Sequence, residues 1–517
     1  MVKMSVNFAT LPLLTQVLKL VLLFVVSKIF MLIFNYYHHI FQCRNFPRLK
    51  YFGAKQQLKV FALGKGNLRS EMQFVGKKLK RDDRADGWCA VGLPAFVVAF
   101  TYTPEANLKI LNAKNNGRGW VGRLGFDNVD GIIISKPPKW NHRRGMIAPG
   151  FAQKVLQSFV PTIVENSMNM VTKLGESSDF VEIWPIAYEV SMSVLLETSM
   201  GLKNSSLSHL KKPLCENMDK WFENQVPRAY NPLMWFPWMK SVYLFVTRGV
   251  NELDLWKTYC RQIIRQRLED RRDNKLAYQT DQSNDMDFSS FKHKAFLDHL
   301  IDAFLKDSGK CRVDEEGILE EVMNFSIGGV ETVASLIMWT LHSLANYPDI
   351  QEELYQELHY MSDNDLNLTI ESVEKLSFID QVCKETLRLR PGIPWIPRCL
   401  GEDVYMGEHK IPKDTMCVVS VYYTHRDPLI YPNHNTFDPS RFTPENFAKI
   451  PAGGYIPFGD GARRCIGYKV GVITAKIVIG HIIKNYKVFT KDPMNVKFEF
   501  VGVMRPKKPI EMRFEKR

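Results

Sequence analysis

One cysteine stands in a setting that could do chemistry. Cys465 lies in Phe458-Gly459-Asp460-Gly461-Ala462-Arg463-Arg464-Cys465-Ile466-Gly467, a loop crowded with glycine and arginine. The stretch Tyr468 to Ile483 follows at once, apolar and free of acidic residues, and reads as a buried helix with Cys465 just before its first turn. A thiolate there is favoured by the helix dipole, by free N–H groups and by Arg463 and Arg464. Gly461 and Gly467 let the backbone approach a large flat ligand. A haem iron with a cysteine thiolate as axial ligand uses this chemistry, because the push of that ligand favours O–O cleavage. The plain alternative is a small buried hydrophobe in a turn.

Other groupings carry weaker signals. Trp140 and Arg144 in Trp140-Asn141-His142-Arg143-Arg144 share one face if the segment is helical, so an indole N–H and a guanidinium can meet a carboxylate ligand. The same pattern suits a packed Trp beside a solvated basic face. Glu320 to Leu344 reads as a long central helix that contains Gly328-Gly329-Val330-Glu331-Thr332. Adjacent glycines there cost about 1 kcal/mol each against alanine. They make sense where a flat cofactor and dioxygen must come close, with Glu331 and Thr332 as a proton path and a hydroxyl; otherwise they mark a kink beside a surface Glu. Glu385 and Arg388 are spaced to pair on a helix, and most such pairs are surface contacts worth less than about 1 kcal/mol.

Phe458, Gly461, Arg463, Cys465 and Gly467 match, position for position, the F-x-x-G-x-R-x-C-x-G signature of the cytochrome P-450 superfamily, which the chain resembles from about residue 90 to 510. The resemblance implies a mainly α fold with small β-sheets (α+β) and haem b, non-covalent apart from Cys465 as the axial metal ligand. It implies that Trp140, Arg144, Arg398 and Arg463 hold the propionates, and that Phe458 packs near the thiolate and moderates it. Gly467 belongs to the same cofactor loop. Glu331 and Thr332 are the implied catalytic pair above the iron. Glu385 and Arg388 join Arg441 of Pro439-Ser440-Arg441-Phe442 in a structural triad. His425-Arg426-Asp427-Pro428, Tyr455-Ile456-Pro457-Phe458 and Glu197-Thr198-Ser199-Met200-Gly201 are similar to the microsomal fatty-acid ω-hydroxylase branch. Gly328 stands where many members of that branch carry a Glu bonded covalently to haem, so that link is expected to be absent. Val333 and Arg390 also depart from the usual pattern, where a second Thr or Ser and a His are frequent.

The implied activity is insertion of one oxygen atom of O2 into a C–H bond of a lipophilic substrate, a fatty acid or related lipid. No G-x-G-x-x-G fingerprint lies between a strand and a helix, so electrons must come from a separate NADPH-dependent flavoprotein reductase, with cytochrome b5 as a further donor. Two alternatives stand beside this reading: a haem-thiolate isomerase or dehydratase acting on lipid hydroperoxides without a reductase, and a non-catalytic membrane haem or lipid binder.

Residues 1–43 contain no Arg, Asp or Glu, and Val17 to Tyr37 is apolar apart from Lys19, Ser27, Lys28 and Asn35. That length approaches a bilayer span, although each lysine costs roughly 2.5–3.5 kcal/mol at mid-membrane. A membrane anchor over 1–45 is expected, with an interfacial helix or a cleaved signal as alternatives. Basic residues follow from Arg44, which places the remaining domain, 46–517, on the cytosolic side, here of the endoplasmic reticulum membrane. The net charge of +13 fits anionic lipid or an acidic redox partner; no nucleic-acid motif is visible. Lys139, His142, Arg143, Arg464, Lys469 and Lys476 are candidates for a docking face. The nine scattered cysteines, with no C-x-x-C, fit a reducing compartment. Arg271 to Ser290 reads as an exposed polar loop. The aromatic run around Trp221-Phe222 and Trp235-Phe236-Pro237-Trp238 reads as core or as a loop dipping into lipid.

Overall fold

The computed structural model describes residue 27 and residues 87–93, 96–117, 129–176, 178–202, 208–230, 252–280, 295–305, 313–360 and 370–517. The expected anchor, apart from Ser27, and the segment 231–250 with its Pro-punctuated aromatics lie outside these residues.

The first half runs β1 (Trp88–Leu93), β2 (Phe96–Thr101), α1 (Pro104–Asn112), α2 (Lys139–Ile147), α3 (Gln153–Gly175), β3 (Val181–Glu182), α4 (Ile183–Val194), α5 (Ser208–Tyr230), α6 (Glu252–Thr280) and α7 (Phe296–Leu305). The second half runs α8 (Glu315–Asn346), α9 (Pro348–Tyr360), α10 (Ile370–Lys375), α11 (Ser377–Leu389), β4 (Trp395–Cys399), β5 (Val404–Met406), β6 (His409–Ile411), β7 (Met416–Ser420), α12 (Val421–Thr424), α13 (Pro444–Phe447), α14 (Tyr468–Asn485), β8 (Tyr486–Thr490), β9 (Phe498–Val501), β10 (Val503–Pro506) and β11 (Glu511–Lys516). The largest sheet has the order β1-β2-β7-β4, with β2 and β7 parallel and the other pairs antiparallel. The mainly helical fold with small sheets is therefore the one expected.

Helix α8 is the axis of the core. Asp314 caps it by accepting from the Gly317 N–H at 2.8 Å. From Gly317 to Leu344 every residue is buried except Glu320, Gly328, Gly329 and Thr332. Among the described residues α8 is the one helix long and apolar enough to cross a bilayer, yet most of it is buried inside the protein, which makes it a core helix. Trp339 Nε1 donates to the Met504 carbonyl at 2.9 Å and pins β10 against it.

One expectation is corrected in part, residues 281–290 of the expected polar loop lying outside the described residues, and one pair of alternatives is decided. Arg271 to Thr280 is the end of α6 and not loop. Its Arg, Lys, Gln and Ala are good helix formers, and Arg271 is tied to Asp302 at 2.6 Å on α7. For Trp221 and Phe222 the core alternative holds. They are buried on α5, where the Trp221 ring lies 5.0 Å from that of Trp256 on α6.

The Glu385–Arg388 pair is buried, unlike most pairs of its spacing. Both side chains are fully inaccessible. Arg388 uses all five N–H donors: Nε and Nη2 reach Glu385 at 2.6 and 2.8 Å, Nη1 reaches the carbonyls of His425 and His434 at 2.9 and 2.7 Å, and Nη2 also reaches that of Thr436 at 3.1 Å. Glu385 in turn accepts from the Asp438 N–H at 2.8 Å, and Arg441 Nε lies 3.6 Å from it. The residues of the expected triad thus meet. From this knot the order passes to the cysteine loop. His425 Nε2 accepts from the Ile456 N–H at 2.9 Å, the Ile456 carbonyl accepts from Gly459 at 3.0 Å, and the Phe458 carbonyl accepts from Cys465 at 3.0 Å.

Arg388→Ala should destabilise the protein by about 3–5 kcal/mol, because it strands a buried carboxylate together with the carbonyls; denaturant unfolding of the purified protein measures this. Arg388→Lys should rescue little, since a point charge cannot replace the fork. A pH effect follows from His425. Burial, with Arg388 and Arg426 nearby, holds its imidazole down at about 3, against 6.5 for the ordinary group. The folded state keeps it neutral, so its contribution is complete above about pH 6.5 and fades as pH falls toward 3. Between pH 7 and pH 5 the wild type should lose about 2 kcal/mol more stability than His425→Gln, in which the other titrating groups are unchanged.

Candidate active site

The cysteine loop is shaped by two glycines in a conformation that other residues rarely adopt. Gly459 and Gly461 have φ of +70° and +69°. A Cβ on Gly461 would stand 2.5 Å from the Leu111 carbonyl oxygen of α1. The Asp460 carboxylate accepts from the Gly461 N–H at 2.7 Å and holds the turn. The loop then delivers Cys465, which is exposed, to the head of α14. Gly467 sits just before that helix with φ −91°, a conformation open to any residue, and its missing Cβ would make an ordinary contact with Phe151 at 3.7 Å.

Around this loop the structure gathers most of the residues singled out from sequence. Trp140 lies between two guanidinium groups, Arg463 at 4.5 Å and Arg144 at 5.7 Å from its ring centroid. Arg463 also donates to the Ser135 carbonyl, and Arg144 Nη1 to that of Arg464 at 3.1 Å. Burial lowers the Arg144 pKa, and the negative charge of Cys465 is what works against that shift. Arg398 is wholly buried on β4, its Nη2 3.9 Å from where a Gly459 Cβ would stand. Phe458 is half-buried, with its ring 6.0 Å from Tyr468.

The buried stretch of α8 has an opening at its glycine pair. Gly328 is exposed, and Gly329 and Thr332 are half-exposed, on a single face of the helix. A Cβ on Gly328 would meet Ile133 at 3.8 Å, and one on Gly329 would collide with Leu195 at 2.7 Å. Gly392, at the entrance to β4, comes within 3.9 Å of Thr332 by the same measure. The Thr332 hydroxyl donates to the Gly328 carbonyl at 2.6 Å.

Glu331 is neither a surface residue nor turned toward Thr332. It is fully buried, and both of its oxygens lie 2.7 Å from Arg505 Nη2 on β10. Arg505 Nη1 reaches Asp219 on α5 at 2.6 Å. Burial pushes the Glu331 carboxyl up, to about 7, against the pull of Arg505. Sequence reasoning missed Arg505 and Asp219 altogether. They are far from Glu331 along the chain, and neither carries a spacing signal.

The expected basic docking face is corrected in part. Arg143 is buried 3.9 Å from Glu321, Lys139 pairs with Glu320 at 2.7 Å, and Lys476 is buried against Asp380 at 2.6 Å. These charges are neutralised at home. Arg464 and Lys469 remain exposed.

An accessible thiol, an indole, three guanidinium groups and a glycine-opened helix face, with no carboxylate among them, are the donor set that a flat, dianionic iron porphyrin requires. The residues fit haem. Gly461→Ala should displace Cys465 and cost on the order of 2 kcal/mol through positive φ and the clash with Leu111; a fall in haem bound per protein, with a lower Tm, checks this.

The family model described as Cytochrome P450 matches residues 93–514. Similar curated proteins include cytochrome P450 4c21 of Blattella germanica, 28% identical over 393 residues that cover 75% of this chain and 77% of that protein. Cytochrome P450 4V2 of Homo sapiens is 29% identical over 398 residues, 75% of this chain and 74% of that one. With four-fifths of the chain under one family model, the chain belongs to the cytochrome P450 family, as an oxidoreductase of the monooxygenase class whose cofactor is haem b held by a cysteine thiolate.

Proposed function

We propose that this enzyme hydroxylates a C–H bond of a lipophilic substrate, a fatty acid or related lipid, with electrons from an NADPH-dependent flavoprotein reductase and cytochrome b5 as a further donor. The observation that carries the proposal is the opening of an otherwise buried α8 at Gly328, Gly329 and Thr332, in the same structure that leaves Cys465 accessible at the end of its loop. When bound, haem supplies the activation of dioxygen. Cys465 would hold its iron, the cysteine backbone being fixed by the bond from its N–H to the Phe458 carbonyl. Trp140, Arg144, Arg398 and Arg463 would hold its carboxylates, and Phe458 and Gly467 would pack beside it. Thr332, half-exposed on the open face of α8, would present its hydroxyl to the bound cofactor, and Glu331 would supply a proton to it after turning away from Arg505. The apolar neighbours at the α8 opening, Ile133 and Leu195, favour a hydrocarbon over a charged group. The resemblance of His425–Pro428 and Tyr455–Phe458 to the ω-hydroxylase branch supports the lipid. The apolar stretch Val17 to Tyr37 supports a single anchor in the endoplasmic reticulum membrane with the catalytic domain in the cytosol.

The test uses the full-length enzyme in membranes with reductase. Reduced protein under carbon monoxide should show its main absorption band moved far to the red, and Cys465→Ser should abolish that band. A mass-spectrometric screen of lipids should give hydroxylated product only with reductase and NADPH; turnover of lipid hydroperoxide alone would sink the monooxygenase reading. Thr332→Ala should keep haem binding but lower product formed per O2 consumed by roughly tenfold or more.

A further inference from the structure

The acid beside Thr332 is not held by its own helix. Its carboxylate is gripped by an arginine from the C-terminal strands, and that arginine is gripped from the other side by an acid on α5. Arg505 is buried, with its guanidinium 4.2 Å from the Trp184 ring centroid, so it has little room to take another partner. Asp219 keeps 34% of its side-chain surface and is the end of the chain of charges nearest solvent.

We propose that Arg505 is a positioning residue for oxygen activation, shared between Glu331 of α8 and Asp219 of α5 so that Glu331 can leave it and turn toward Thr332. The proposal rests on the proton-donor reading of Glu331. Its physical basis is charge compensation. A buried guanidinium that loses its only carboxylate is strongly penalised, which would lock Glu331 in place. With Asp219 on Nη1, the guanidinium stays paired when Nη2 is released. Asp219 also makes the site net negative, which favours a proton on Glu331. Protonated Glu331 binds Arg505 less tightly and carries the proton that the Thr332 hydroxyl needs. The carboxylate left behind returns to Arg505 until solvent reprotonates it. Other titratable groups face this cluster. Tyr188 of α4 is wholly buried and feels the charges of Glu331, Arg505 and Asp219. Glu223 of α5, Glu499 of β9 and Glu182 of β3 add negative charge at its outer edge.

Asp219→Asn, Arg505→Lys, Arg505→Gln and Glu331→Gln, each in the full-length haem-loaded enzyme, test this. The first readout needs no turnover: infrared titration of the carboxyl C=O band that is missing in Glu331→Gln. Its midpoint should fall by about one pH unit in Asp219→Asn, a tenfold change in the proton equilibrium, and should rise in Arg505→Gln. The second is product per NADPH consumed, with dodecanoate as substrate, together with the H2O/D2O ratio of turnover. Asp219→Asn should keep the red-shifted carbon monoxide band and dodecanoate binding, lose roughly tenfold in coupling, and show a larger isotope ratio. Arg505→Lys, a single charge that cannot bridge both acids, should be uncoupled in the same way. If Glu331→Gln is uncoupled while Asp219→Asn and Arg505→Lys match the wild type, the sharing is overturned and the donor reading survives. If Glu331→Gln itself stays coupled, both fail. An unmoved midpoint in Asp219→Asn also overturns the sharing.

Discussion

A guanidinium with every N–H engaged holds this protein's reactive end in place. Burying Glu385 and Arg388 together carries a desolvation cost that their attraction alone need not offset. The cost is met because Arg388 also closes the carbonyls of His425, His434 and Thr436, and because Glu385 takes the N–H of Asp438. Irregular backbone over that stretch has no ladder or helix to satisfy it, so a side chain with five fixed donors does so. His425, neutral because burial and then its arginine neighbours keep it so, relays the order to Ile456 and from there to the turn that presents Cys465.

The second constraint is that a helix in the centre of the core must also leave part of one face open. Along α8 apolar burial is nearly continuous, and apart from Glu320 the exceptions, Gly328, Gly329 and Thr332, fall on one face. Glycine there sacrifices helix stability for proximity, since Leu195 already fills the space a Cβ would need at Gly329. Elsewhere, positive charge is collected around Trp140 from α2 and from the cysteine loop. The Arg463 and Arg144 guanidinium groups both lie over the indole ring, and the ring's negative face offsets part of their mutual repulsion.

Charges elsewhere obey a different rule. Arg143, Lys139 and Lys476 each answer an acid on a neighbouring element. Residue type and spacing made them look like solvated surface. Whether a basic side chain is free depends on what packs across from it, and here Glu321, Glu320 and Asp380 do so from α8 and α11. The same blindness hid the end of α6. Its polar residues lack a core-facing pattern, but good helix formers and the pairing of Arg271 with Asp302 extend the helix to Thr280.

What the amino-acid order determined unaided is local. The glycine and arginine pattern around Cys465, the apolar run that became α14, the long apolar α8 with its glycine pair, and the helical spacing of Trp140 with Arg144 and of Glu385 with Arg388 all follow from steric limits and helical period. Those act within a turn or two of chain. Tertiary structure alone decided which ions are buried, that Glu331 faces Arg505 and Asp219 and not solvent, and that Trp140 meets Arg463. These are contacts between residues far apart in sequence, and their energies depend on the dielectric and the partners that only the packed interior supplies.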